Sequence, residues 1–181
     1  MAATLEKWAA RLDAIVEVCG WVAAWTGFAL VLVMAGNVLL RYLFHTGSVA
    51  MQELEWHLMS PLTLLCIAYT IKHEGHVRVD IVYARFPAGV RNIIDLFSAL
   101  AVVALAVIIV RLSWPYMMQS YRIGEGSPDP GGLPYRFILK AMIPAGFMLL
   151  LLQSLAATLR AIQPFLGGKG EPSARVTPDA L

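Results

Sequence analysis

Charge is what this sequence is short of. Only 14% of its 181 residues are Asp, Glu, Lys or Arg, against 59% hydrophobic, with a mean hydropathy of +0.67. Soluble domains carry roughly 25% charged residues. A soluble core of this size cannot hide so much apolar surface, so the composition points to a membrane protein. Cysteine is scarce too. Cys19 and Cys66 both lie in apolar runs, where a free cysteine packs as a small hydrophobe, and two isolated thiols make neither a disulfide framework nor a metal site. No basic cluster suggests nucleic acid. No glycine-rich phosphate loop, zinc-spaced His/Cys set or Ser/His/Asp arrangement is visible. A transmembrane haem needs two histidines facing each other in the bilayer. Of His45, His57, His73 and His76, His57 alone falls near that depth.

What is present is a series of long apolar stretches. Residues 1–17 mix Glu6, Lys7, Arg11, Asp13 and Glu17 with Trp8, Leu12, Ile15 and Val16. They read as an amphipathic lead-in at the membrane surface. The acidic residues argue against a cleaved secretory signal. Between Glu17 and Arg41 lie 23 uncharged residues. At about 1.5 Å per residue these cross a ~30 Å hydrocarbon core with some tilt. Asn37, the strongly polar residue of that run, is expected to bond to a neighbouring helix. Thr46-Gly47 makes a turn, and Ser48 can cap the next helix.

The second span is the least clear by hydropathy. Only 16 uncharged residues separate Glu55 from Lys72, so Glu53 and Glu55 must sit in the outer layer of the membrane. Glu53, Trp56, His57 and Ser60 share one face. Pro61 frees the carbonyl of His57 and predicts a bend. A polar connection follows from Lys72 to Arg91. In it, His73-Glu74-Gly75-His76 reads as a solvated turn, and the interleaving of Val77, Val79, Ile81 and Phe86 with Arg78, Asp80 and Arg85 predicts a short interfacial helix. The third span holds 19 residues between Arg91 and Arg111, with Asp95 in its first turn and Arg111 inside the span. Residues 122–135 are turn chemistry, rich in Gly and Pro. The fourth span has 19 uncharged residues between Lys140 and Arg160, and a Gly/Pro-rich tail follows.

The expectation is therefore an all-α membrane protein of four transmembrane helices, at about 18–44, 49–72, 91–120 and 137–161. They form a single domain over 1–165, with a disordered tail over 166–181. Nine Lys and Arg flank the termini and the connection between spans two and three, against four on the other side. The positive-inside rule then puts both termini in the cytoplasm. Arg41 and Glu53 come to a similar depth across a short turn, which predicts an ion pair between them. Glu55 lies about 200° from Glu53 around the helix and faces elsewhere.

Three sequence motifs carry a resemblance: Asn37-Val-Leu-Leu-Arg41-Tyr42, Gln52-Glu53-Leu-Glu55-Trp56-His57 and Gly75-His76-Val-Arg78-Val-Asp80. Together, and in this order, they resemble the small DctQ-type membrane subunit of tripartite ATP-independent periplasmic (TRAP) transporters. The likeness extends over about residues 15–160. Met51 departs from it, where many relatives have Trp. The loop from Arg122 to Tyr135 resembles a branch often labelled for mannitol or chloroaromatic compounds.

The resemblance implies a multi-pass inner-membrane scaffold, not an enzyme, that partners a large DctM-type permease subunit. A periplasmic DctP-type binding protein would deliver an organic acid for sodium-coupled uptake. No cofactor is expected in this subunit, and sodium is expected at the large one. Arg41, Glu53, Glu55, Trp56, His57, His76, Arg78 and Asp80 are the structural or interface candidates. The alternative class is the membrane anchor of a redox complex that binds quinone or haem.

Overall fold

The computed structural model describes residues 2–73, 83 and 85–166, with side chains over 6–73, 83 and 85–165. Four helices make up nearly all of it: α1 (Ala2–Phe44), α2 (Val49–Lys72), α3 (Ala88–Arg122) and α4 (Phe137–Ile162). A 3-10 turn, Gln163–Leu166, extends α4. No strand occurs among the described residues. The amphipathic lead-in is continuous with the first span, so α1 is 43 residues long, or about 65 Å at ~1.5 Å per residue. The expected interfacial helix around Arg78 lies outside the described residues.

α1 and α2 form an antiparallel hairpin. His45 takes a left-handed φ of 52° at the turn, and the Ser48 hydroxyl caps α2 by accepting the Met51 N–H at 3.4 Å. Small residues let the two helices approach closely. A Cβ added at Gly20 would run into the Tyr69 ring, and one at Gly27 would lie 3.2 Å from Leu62 Cδ1. Val16, Ala68 and Leu149 meet at the centre of the core.

α4 is the hub, packed against α1, α2 and α3, whereas α3 rests almost wholly on α4. Ala99, Ala106, Ser113 and Ser120, spaced seven apart, are the buried residues of α3. That repeat keeps one stripe of the helix facing its neighbour. α4 buries Pro144, Gly146, Leu149, Leu150, Gln153, Ser154, Ala156 and Thr158.

The polar contacts fall into two layers. One, at the terminal end, pairs Glu17 with Lys72 and His73, and Arg160 with Asp13 and Glu6. The other, at the loop end, holds Asn37, Glu53, Glu55, Glu125 and Lys140. Along α1, Glu17 and Asn37 are separated by about 30 Å at ~1.5 Å per residue, the thickness of a bilayer's hydrocarbon core.

Among the described residues three helical stretches are long and apolar enough to cross a membrane: Glu6–Phe44, Ala88–Arg122 and Phe137–Phe165. The polar head of α2 keeps it out of that set. Its contacts nevertheless run from Gly36 beside Met51 to Glu17 beside Lys72, so it occupies the same slab as α1.

Candidate functional site

The loop between α3 and α4 owes its form to turn chemistry and a few reciprocal bonds. Gly124 and Gly131 take φ values of +60° and +81°, which favour glycine. The Ser127 N–H donates to the Leu133 carbonyl at 3.1 Å, the Gly132 N–H to Asp129 at 3.0 Å, and the Arg136 N–H to Glu125 at 2.9 Å. The segment is therefore folded back on itself.

Glu53 fastens this loop to the bundle. The residue is 3% exposed, and its carboxylate accepts the Leu133 N–H at 2.6 Å through Oε2 and the Ser127 hydroxyl through Oε1. Gly132 leaves room for the arrangement. A Cβ there would collide with the Ser127 side chain and come within 2.8 Å of Glu53 Oε2. A second fastening lies alongside, where Lys140 donates to Glu125 and sits 4.2 Å from the Tyr116 ring centroid. This contact, chiefly the hydrogen bond from Lys140, holds the Glu125 carboxyl below its ordinary pKa. Ser60, Tyr116, Glu125, Arg136, Leu139 and Lys140 line a cavity of about 410 Å³ beneath the loop.

The expected Arg41–Glu53 pair is not formed. Glu53 turns toward the α3–α4 loop, and Arg41 is exposed on the other side of the hairpin. Depth alone brought the two together in the sequence, but an ion pair also needs matching directions around the two helix axes. Arg41 instead borders a recess of about 270 Å³ with Asn37, Tyr42, Gln52 and Glu55.

Glu55 faces away from Glu53, and Asn37 donates to it through Nδ2 at 2.9 Å, joining α1 to α2. Asn37 thus bonds to a neighbouring helix. Trp56 is more than half exposed. His57 bonds through Nδ1 to the Glu53 carbonyl at 2.8 Å, and its buried Nε2 has no partner among the described residues. His76, Arg78 and Asp80 lie outside the described residues. Sequence reasoning missed Ser127, Gly132, Leu133, Glu125 and Lys140 as parts of the site. The turn composition marked the loop, but a backbone N–H donor such as that of Leu133 carries no sequence signal.

Buried and paired charges fix the loop, and no group of three or more His, Cys, Asp or Glu suited to a metal occurs among the described residues. A comparison with family models finds one that matches residues 30–163, described as the DctQ component of tripartite ATP-independent periplasmic transporters. A search of curated proteins finds no match. The family match covers well over half of the chain, so this protein belongs to the DctQ family. It is the small permease subunit of a TRAP transporter and a multi-pass inner-membrane protein.

Proposed function

We propose that this subunit is a rigid membrane scaffold for a large DctM-type permease subunit, which carries out sodium-coupled uptake of an organic acid delivered by a periplasmic DctP-type binding protein. One observation supports this reading above the others. Every described acidic side chain lies in one of the two polar layers or beyond them, and none lies at mid-depth. Sodium and substrate sites in secondary transporters sit near the midplane, on interrupted helices. Here α1–α4 are continuous, and their ties at both ends oppose rocking of one helix against the next. The moving, ion-binding element is assigned to the large subunit.

In this reading the termini are cytoplasmic and the Glu53-fastened loop faces the periplasm, as the distribution of Lys and Arg favours. The loop then offers the binding protein a surface of fixed shape. Two experiments test the proposal. Reconstituted alone, the chain should move no solute. With the large subunit, the binding protein and a sodium gradient, organic-acid uptake should appear, and sodium-driven uptake by this chain alone would overturn the scaffold role. In a background lacking Cys19 and Cys66, a cysteine at Asp129 should react with a membrane-impermeant label from the periplasmic side, whereas one at Phe165 should not. Labelling of both from one side would overturn the orientation.

A further inference from the structure

α3 has two unlike faces. The buried one is the small-residue stripe Ala99, Ala106, Ser113 and Ser120 against α4. On the opposite side Ile93, Phe97, Leu100, Ala104, Val107, Ile108 and Arg111 follow helical spacing, and all are exposed. The apolar members of that stripe suit lipid. Arg111 does not.

The depth of Arg111 follows from helix contacts. Tyr121 meets Phe137 edge to face with ring centroids 5.1 Å apart, and Tyr116 meets Lys140, which sets α3 antiparallel to α4. Continued inward, this register puts Arg111 about level with Gly146. A Cβ at Gly146 would touch Leu64, and Leu62, a turn fraction away, packs against Gly27. Gly27 is midway between Glu17 and Asn37, which mark the two polar layers. Arg111 is therefore near the middle of the slab.

The guanidinium makes no hydrogen bond, ion pair or ring contact among the described residues. Reaching water on its own is also hard. The Cα–Cβ bonds of a helix lean toward its N-terminus, and the N-terminus of α3 is at the terminal end. In that direction the polar layer is about 12 Å away at ~1.5 Å per residue. Snorkelling toward the loop end runs against the lean of the side chain. Arginine inside a membrane normally faces protein or a water-filled cavity and is paired there.

We infer that the Arg111 stripe of α3 is the face that packs against the large permease subunit, and that a helix of that subunit presents a carboxylate to Arg111 near mid-membrane. This rests on the scaffold reading above. A second copy of this chain is a poor occupant, because no described acidic side chain lies at that depth. The apolar residues around Arg111 supply the packing, and the ion pair, shielded from water, sets register and partner choice.

The test is co-purification of the tagged full chain with its large subunit, co-expressed and extracted in mild detergent. Arg111→Leu should leave the chain's own expression and helicity unchanged, because Arg111 touches nothing within it. Recovery of the large subunit should fall tenfold or more. Arg111→Lys should restore part of it, and Arg122→Gln, which removes a positive charge outside the membrane, should change nothing. Ala104→Trp, a bulky uncharged change on the same stripe, should also reduce recovery. If the wild-type chain recovers no large subunit, the scaffold reading fails. If the wild type recovers it and either Arg111→Leu or Ala104→Trp recovers it equally, the face assignment is overturned while the scaffold reading stands.

Discussion

The Glu53 carboxylate near the start of α2 accepts the backbone N–H of Leu133 at 2.6 Å, across 80 positions of sequence, and also the Ser127 hydroxyl. An acceptor with no hydrogen to donate is what two donors facing each other require. Glutamine at this position must turn its NH₂ toward one of them. Glu53→Gln should therefore lower the melting temperature of the detergent-solubilised chain and expose the 122–135 loop to protease. Ser127→Ala removes the bond to Glu53 and the one the hydroxyl accepts from the Asp129 N–H at 3.1 Å, and should cost about 1–2 kcal/mol. A double-mutant cycle should find Glu53 coupled to Ser127 and uncoupled from Arg41. Coupling to Arg41 with none to Ser127 would reverse the assignment.

The Glu53 contact also shows where the sequence stops being informative. The four apolar stretches, with charge gathered at their ends, point to an all-α membrane protein without any coordinates. The Gly/Pro-rich composition of residues 122–135 likewise marks a loop between two of those stretches. The opposite directions of Glu53 and Glu55 follow from two steps of ~100° along a helix. Asn37 in an apolar run demands a partner helix, and Glu55 on α2 provides it. The partner of Glu53 was not legible, because hydropathy encodes depth and leaves rotation of one helix against another open. The α3–α4 loop reaches Glu53 through a main-chain donor held by turn geometry. Asp13 and Arg160 illustrate the same limit, since 147 positions separate them and only the packing of α1 on α4 joins them.

Asn37 is 7% exposed and bonds across the hairpin to Glu55 at 2.9 Å. Interhelical hydrogen bonds in membranes average about 0.6 kcal/mol, with a maximum near 1.7. Asn37→Leu deletes this donor and leaves Glu55 facing an apolar side chain. The expected loss is about 1 kcal/mol in a denaturant titration of the solubilised chain, and a smaller loss with Glu55→Gln, which can still accept from Asn37. Equal stability of wild type and Asn37→Leu would show that water satisfies Glu55.

Two glycines at helix crossings should differ in their tolerance of alanine. At Gly146 an added Cβ would lie 2.7 Å from Leu64 Cβ and 2.9 Å from the Leu64 carbonyl oxygen, so α2 and α4 would have to separate. At Gly27 the nearest atom is the end of the Leu62 side chain at 3.2 Å, which can rotate. Overpacking against backbone typically costs about 1–3 kcal/mol. Gly146→Ala should lower the melting temperature clearly, and Gly27→Ala should stay near the wild type. The reverse order would place the close approach on the α1–α2 side of the bundle.

The Glu125–Lys140 contact gives the loop an acid sensitivity whose sign can be worked out. Glu125 lies in the α3–α4 loop, and its folded pKa is depressed, first by the hydrogen bond from Lys140. A depressed carboxyl binds its proton less readily folded than unfolded, so the unfolded state takes up protons first as the solution is acidified. The stabilisation is present in full above the unfolded glutamate pKa of about 4.3. It fades as the pH falls through that value toward the lower folded one. Between pH 7 and pH 3.5 the wild-type melting temperature should therefore fall further than that of Glu125→Gln, which has no carboxyl to protonate here. Lys140→Gln should behave like Glu125→Gln, because without the ammonium the first cause of the depression is gone. Parallel acid limbs in all three proteins would mean that the contact contributes nothing to folding.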